Sequence, residues 1–120
     1  MTKDQEEENF VKSDVRRTML KIHILWRLTK SSTNAYSILK EFSDDKFAVS
    51  FFPDRKVLRD DVYNVLKSLE KSEFVISSPK VENGRLKQYF QITEKGERAL
   101  KSSAQEFHKA ANDLKMLFQE

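Results

Sequence analysis

The stretch of sequence that decides the fold is VYNVLKSLEKSEFVISSPKVENGRLKQYFQITEKG, residues 62–96. Its first part places apolar residues at the spacing of one buried helical stripe: Val62, Val65, Leu66 and Leu69. Its second part holds two short runs rich in β-branched and aromatic residues, separated by Asn83 and Gly84, and this pair is a strong signal for a hairpin. The stretch therefore predicts a helix over about residues 59–71 and a β-hairpin over residues 74–92.

A first helix is predicted upstream, over VRRTMLKIHILWRLTK, with Ser13 and Asp14 available as caps. Its apolar residues form two stripes on nearly opposite sides: Val15, Met19, Ile22 and Trp26 on one, and Leu20, Ile24 and Leu28 on the other. A helix that is apolar almost all round must have both of its sides covered by other parts of the protein or by a partner. Either it is the central helix of one core, or one side meets the core and the other meets a second subunit. The residues leave both interpretations open.

A short second helix is predicted to begin at Thr33 or Asn34, with a buried side made of Ala35, Tyr36, Ile38, Leu39 and Phe42. The segment that follows, residues 43–57, is predicted to be irregular, because Pro53 is unfavourable inside a helix. Phe51 and Phe52 favour a strand or a tucked loop there.

A long final helix is predicted to start at Thr93. Its apolar residues recur every four or three positions, as in a heptad seam: Leu100, Ala104, Phe107, Ala111, Leu114 and Phe118. An exposed stripe of this size is an aggregation hazard. We therefore expect the helices of two copies to pack together, or each to pack on the partner's first helix at Leu20, Ile24 and Leu28. The alternative is a helix that folds back on its own domain in a monomer.

This order of elements is that of a winged helix-turn-helix domain with an appended arm, so the expected fold class is mainly α with a small β-hairpin wing. We expect a flexible acidic N-terminal arm (residues 1–12), a winged-helix DNA-binding domain (residues 13–92) and a C-terminal dimerisation helix (residues 93–120). In such a domain the third helix enters the major groove. The wing then lies on the DNA backbone or in the adjacent minor groove.

Composition narrows the function classes. The 120 residues carry a net charge of +3, and an acidic start leaves a basic remainder that permits binding to a polyanion. There is no cysteine, and His23 and His108 are far apart in sequence, so we predict no metal site and no cofactor. An enzyme would require titratable side chains that converge on one site, and the sequence indicates no such group. Neither a signal peptide nor a membrane span is visible, so we expect a cytoplasmic protein that does not bind membranes.

The sequence also resembles the PadR family of winged-helix transcription regulators, over about residues 20–100. The family has a tyrosine in its second helix, a tyrosine-led recognition helix ending in leucine-glutamate, an arginine-bearing wing, a tyrosine-containing strand and a threonine-glutamate-lysine-glycine turn. The matching residues are Tyr36, Tyr63, Leu69, Glu70, Arg85, Tyr89 and Thr93 to Gly96.

The resemblance implies a homodimer joined largely through the C-terminal helix, often with the first helix. It also implies that the protein represses promoters and that, in some members, a small molecule relieves this repression. We accordingly expect a sequence-specific, double-stranded DNA-binding regulator that acts as a homodimeric repressor. The sequence does not identify an effector. Trp26 either lines an effector cavity between subunits or packs in the core.

Ten residues are predicted to contact DNA: Arg59, Asn64, Lys67, Ser68 and Lys71 on the third helix, Lys80, Arg85 and Lys87 on the wing, and Thr33 and Asn34 at the second helix. Asn64 and Ser68 carry side chains that read base edges, whereas Lys67 and Lys71 neutralise phosphates. Residues such as Thr33 and Asn34 more often only cap a helix. Five other residues are assigned to the core or its rim: Tyr36, Tyr63, Tyr89, Phe90 and Ile92.

Three features depart from the family pattern. Asp60 and Asp61 follow Arg59 at the expected start of the recognition helix, where acids repel phosphate but also favour the helix dipole. Glu73 replaces the glycine that normally ends this helix, so the helix could end differently. The loop over residues 43–57 is also longer. The acid pair favours an alternative function, a winged helix that binds a partner protein instead of DNA.

Overall fold

The computed structural model describes residues 2, 6–7, 10–44 and 54–119. Within this part of the chain, four helices accompany a three-stranded antiparallel sheet. In chain order the elements are α1 (Lys12–Leu28), β1 (Thr33–Asn34), α2 (Ala35–Ser43), α3 (Arg55–Lys71), β2 (Val75–Glu82), β3 (Arg85–Ile92) and α4 (Glu94–Leu117). The expected fold class, a mainly helical winged helix with a hairpin wing and an appended helix, is confirmed.

The core lies among α1, α2, α3 and the first residue of β2. Its most deeply buried side chains come from all four elements: Ile24, Ile38, Val62, Leu66 and Val75. The stripe of α1 made of Leu20, Ile24 and Leu28 points into this core, with exposed fractions of 3%, 0% and 3%. This stripe is therefore the core-facing side of α1, and the interpretation that the other side meets a second subunit stays a prediction.

The predicted cap of α1 is wrong. The helix begins at Lys12, and its N-cap residue, Val11, makes no side-chain capping bond. Ser13 and Asp14 lie inside the first turn, where the Asp14 carboxylate faces the positive end of the helix dipole.

The start of α2 agrees with the prediction. The Asn34 side chain accepts a hydrogen bond of 2.9 Å from the backbone N–H of Ser37 and so caps the helix. Ala35, Ile38 and Phe42 are buried as expected, but Tyr36 is not.

The third helix begins one turn earlier than predicted. Asp54 is its N-cap, and the carboxylate accepts a hydrogen bond of 2.8 Å from the backbone N–H of Lys56. Residues 55–57, expected to be irregular, are therefore helical. Most of the predicted loop, including Phe51, Phe52 and Pro53, lies outside the described residues.

The helix α3 ends in the same way as a helix that has glycine after its last turn. The expectation that Glu73 makes the helix end differently is therefore wrong. Glu73 adopts a left-handed backbone conformation with φ of 63°. The N–H of Phe74 donates to the carbonyl of Leu69 at 2.9 Å, and that of Glu73 donates to Glu70 at 3.0 Å. These two bonds are those of a Schellman motif.

The predicted hairpin is confirmed, and its strands are longer than expected. Asn83 and Gly84 have φ of 52° and 74°, as a two-residue type I′ turn requires, and they join β2 to β3 with Glu82 opposite Arg85. The short strand β1 pairs with β3 through Thr33 and Phe90, which gives the strand order β1-β3-β2.

The first turn of α4 is docked on the loop that follows α3. The Thr93 hydroxyl accepts a hydrogen bond from the N–H of Gly96 at 3.0 Å and donates to the carbonyl of Glu73 at 2.8 Å. The Lys95 ammonium donates to the carbonyl of Ser72 at 2.9 Å, close to the end of α3. Residues 101–117 of α4 are exposed. The division into arm, winged helix and dimerisation helix stays a prediction.

Candidate nucleic-acid interface

One face of α3 is exposed and carries the predicted contact residues of this helix: Arg59, Asn64, Lys67, Ser68 and Lys71. Asn64 lies at the crest of this face, because it borders both grooves that flank the helix. The buried residues of α3 occupy the opposite side, so the helix is fixed by its core contacts while the crest stays free for a ligand.

The groove on one flank lies between α3 and the sheet and has a volume of about 310 Å³. Tyr63, Lys67 and Glu70 line its helix wall, and Ser77 and Gln88 line its sheet wall. The Gln88 amide donates to the Ser77 hydroxyl at 2.9 Å, and that hydroxyl donates to the Glu70 carboxylate. This polar chain connects the base of the hairpin to α3.

The wing cations lie on the other face of the hairpin. The register pairs Lys80 with Lys87, and side chains alternate along a strand, so both point away from the face that holds Ser77 and Gln88. The Lys87 ammonium is 6.0 Å from the ring centre of Tyr36, at the start of α2. The wing cations and the first turn of α2 therefore share one surface.

Tyr89 and Glu82 order this surface. The Tyr89 hydroxyl donates to the Glu82 carboxylate at 2.8 Å, and this hydrogen bond, with some desolvation, raises the pKa of Tyr89. Lys87 is 3.8 Å from the same carboxylate, and the Lys80 ammonium is 4.7 Å from the Tyr89 ring centre. Glu82 thus neutralises part of the wing charge, whereas Arg85 at the turn is exposed.

The structure contradicts the prediction that Thr33 and Asn34 contact phosphate. Their exposed fractions are 6% and 5%, because Thr33 pairs with Phe90 in the sheet and the Asn34 side chain caps α2. Neither side chain is open to a ligand.

Sequence reasoning missed two exposed tyrosines, Tyr36 and Tyr63, whose exposed fractions are 63% and 51%. Their assignment to the core or its rim is wrong. For Tyr63 the signal was present, because it falls outside the buried stripe of α3 and lies one turn before Lys67 on the polar face. Each tyrosine adds a hydroxyl to the exposed surface.

The acid pair does not open the recognition helix, because Asp54 does so. The Asp61 carboxylate is 4.0 Å from Arg16 Nε of α1, and its side chain is 13% exposed. The Asp60 carboxylate is 3.9 Å from Arg59 Nε. Each acid therefore lies beside an arginine, which reduces its repulsion of a polyanion.

The predicted dimer contacts divide into three groups by their burial. Leu20, Ile24 and Leu28 belong to the core of their own protomer, so their assignment to a subunit interface is wrong. Leu100 is partly buried against the same core. The other seam residues of α4 are exposed: Ala104, Phe107, Ala111, Leu114 and Phe118.

Trp26 does not pack in the core, since it is 52% exposed. It lies with Ile22 and His23 of α1 opposite Leu100 and Ala104 of α4, around a groove of about 500 Å³. The described residues contain no group of three or more metal-ligating side chains. No helix in that part of the chain has the length and apolar character to cross a membrane.

Comparison with known proteins identifies the family. The model of the transcriptional regulator PadR-like family matches residues 24–102, about two thirds of the chain. The chain belongs to the PadR-like family. The matched residues include α3, the β-hairpin and the first turn of α4. No curated protein sequence matches this PadR-like chain.

Solved structures share the fold. The PadR family transcriptional regulator from Eggerthella lenta has a TM-score of 0.73 at 18% identity, covering 98% of this chain and 96% of that one. A transcriptional regulator from Clostridium thermocellum has a TM-score of 0.71 at 21% identity, covering 88% and 99%. Bacillus subtilis PadR, solved in complex with operator DNA, has a TM-score of 0.57 at 23% identity, covering 69% of this PadR-like chain and 45% of its own.

Proposed function

We propose that this PadR-like chain is a sequence-specific, double-stranded DNA-binding transcription regulator that acts as a homodimeric repressor. The observation that carries the proposal is the exposed face of α3, whose cations and hydrogen-bonding groups surround Asn64. Bacillus subtilis PadR, a fold relative, was solved in complex with operator DNA, which supports DNA binding as the function of this chain.

In this proposal α3 enters the major groove with Asn64 at its crest. An asparagine amide can pair with adenine through both its donor and its acceptor, and the Ser68 hydroxyl can bond to several base edges. Lys67, Lys71 and Arg59 neutralise phosphates beside the groove. Their contribution depends on salt and not on sequence.

The surface shared by the wing and α2 binds the backbone next to the α3 site. Lys80, Arg85 and Lys87 supply positive charge, and Arg85 adjoins the type I′ turn that forms the wing tip. The exposed hydroxyl of Tyr36 donates to a phosphate beside Lys87. Thr33 and Asn34 have no part in this surface, because both are buried.

The homodimer proposed here uses the α4 seam from Ala104 to Phe118. The first helix takes part through its outer stripe, Ile22 and Trp26, since the stripe of Leu20, Ile24 and Leu28 is already buried. Two copies of the seam would cover apolar side chains that a monomer exposes, Phe107 and Leu114 among them. The spacing of the two α3 helices would then be set by the dimer.

The competing function, a winged helix that binds a partner protein, rested on Asp60 and Asp61. Since each carboxylate lies beside an arginine, the pair is weak evidence for a surface that rejects DNA. The deciding experiment is binding to duplex DNA over a range of salt concentrations. DNA binding predicts an affinity that falls steeply with salt, and binding that is absent or insensitive to salt would favour the protein partner. A footprint on the DNA that flanks the chain's own gene would locate the operator.

A further inference from the structure

Two cations of α1, Arg17 and Lys21, lie across a groove from the exposed face of α3. This second groove flanks α3 on the side away from the wing and has a volume of about 340 Å³. Arg17 and Lys21 line its α1 wall, and Asn64 and Ser68 line its α3 wall. The two cations are four residues apart, so they stand one turn above the other on the same side of α1. The sequence pattern assigned neither of them a role.

The charge of this groove is positive at its open rim. Arg17 and Lys21 are exposed, and neither forms an ion pair with any residue that the structure describes. The acid on the opposite wall, Asp61, has a side chain only 13% exposed and lies 4.0 Å from Arg16. An anion that enters from solvent therefore meets two free cations before it meets a partly neutralised carboxylate.

The geometry of duplex DNA brings phosphates to both flanks of α3. A helix with its side chains is about 10–12 Å across, and the major groove is about 12 Å wide. When α3 fills the groove, one sugar-phosphate strand runs along each side of it. The wing and α2 face one strand. Among the described residues, those of the α1 wall lie on the side of the other strand, and the Asn64 crest borders both flanks.

We propose that Arg17 and Lys21 form a second phosphate-binding surface, which binds the backbone of the DNA strand on the side of α3 away from the wing. This inference rests on the proposed DNA-binding function. Because the contacts are to phosphates, they add affinity and fix the position of α3 without reading sequence. The recognition helix is then held from both sides: by the wing and α2 on one strand, and by α1 on the other.

The test compares the Arg17→Gln/Lys21→Gln double variant with the wild-type protein. The probe is a labelled duplex of about 30 base pairs, titrated between about 50 and 200 mM salt, where phosphate contacts change affinity steeply. Glutamine keeps the helix and most of the side-chain length while it removes the charge. The Lys21→Gln single variant is measured as well, and its matched control is Lys109→Gln, which removes one charge from an exposed position of α4 opposite its apolar seam. Circular dichroism checks that every variant is folded.

We expect the double variant to bind at least about tenfold more weakly at low salt, with a salt slope lower by about one unit for each phosphate that is no longer neutralised. Its preference between the operator and a scrambled duplex should be unchanged, and Lys109→Gln should bind like the wild type. If the double variant keeps the wild-type affinity and slope while Lys67→Gln reduces both, the α1 surface is wrong and DNA binding stands. If the wild type itself shows no salt-dependent binding, the proposed function fails instead.

Discussion

The α-carbon of Gly96 lies so close to the backbone of Phe74 that a β-carbon on residue 96 would be 2.1 Å from the Phe74 carbonyl oxygen. The same carbonyl accepts a hydrogen bond of 3.1 Å from the N–H of Thr93. The first turn of α4 is therefore pressed against the residues that end α3. α4 carries the proposed dimer seam and α3 carries the proposed DNA-reading surface. This contact therefore fixes the orientation of α4 relative to α3.

Gly96→Ala should destabilise the protein, although alanine is the better helix former by about 1 kcal/mol. The added methyl group would overlap the Phe74 carbonyl and approach Ile92, so backbone must move, and overpacking of this kind costs about 1–3 kcal/mol or more. Thermal unfolding followed by circular dichroism measures the destabilisation. Ser102→Ala, at an exposed position of the same helix, is the control and should leave the midpoint nearly unchanged. An unchanged midpoint for Gly96→Ala would contradict the close packing.

Glu73→Gly should stabilise the protein. Glu73 is in the left-handed conformation, which costs a non-glycine residue about 1–2 kcal/mol. Glycine removes this strain but loses more conformational entropy on folding, so the net gain in stability is about 0.5–1 kcal/mol. Urea unfolding measures the gain. Glu73→Ala is the matched control, because it removes the same carboxylate but keeps the β-carbon. Equal stability of the glycine and alanine variants would show that φ at this residue is not strained.

The stretch from α3 to α4 was predictable because its local signals agree with its tertiary role. Asn83 and Gly84 form the expected turn, and the buried stripe of α3 is the one that its spacing predicted. The start of α3 was missed because Pro53 is unfavourable inside a helix, so the sequence around it indicates an irregular segment. The structure shows that the helix begins at Arg55, with the Asp54 side chain as its cap. Helix boundaries depend on such single hydrogen bonds, which a periodic pattern does not reveal.

The orientation of α1 could not be predicted from its sequence. Both of its stripes are apolar, so hydrophobicity alone does not say which one faces the core, and only the packing of α1 in the folded chain separates buried Ile24 from exposed Trp26. The same limit applies to Arg17 and Lys21. Nothing in the sequence indicates that they lie across a groove from Ser68, because that proximity exists only once α1 packs on α3.

Lys67→Ala and Arg85→Ala should each weaken binding to all duplexes and lower the salt slope by about one unit, because each removes the cation that neutralises one phosphate. Asn64→Ala should in addition relax base preference at one position of each half-site, since a bidentate base contact is worth about 1–3 kcal/mol of discrimination. Fluorescence anisotropy with the operator and with single-base variants separates the two effects. If all three variants are folded and bind as the wild type does, α3 is not the reading surface.

The operator should be pseudo-palindromic, with half-sites about one helical turn apart. A two-fold dimer presents two equal copies of α3, and two such helices on one face of the duplex must be separated by about 34 Å or a multiple of it. Footprinting together with the stoichiometry at saturation tests this. One protomer per site, or a protected region with no internal symmetry, would contradict it.

Phe107→Glu should separate the dimer and weaken operator binding together. Phe107 lies in the middle of the exposed seam of α4, so in the proposed dimer its ring is covered by the partner, and a carboxylate there would be buried without a counter-charge. Monomers would bind the full site far more weakly, because binding to the second half-site would no longer be intramolecular. Gln105→Glu adds the same charge two residues away, on the side of α4 opposite the seam, and should remain dimeric with its affinity nearly unchanged. Analytical ultracentrifugation at tens of micromolar distinguishes the outcomes: a monomeric wild type, or a Phe107→Glu variant that stays dimeric, would show that α4 is not the dimerisation helix.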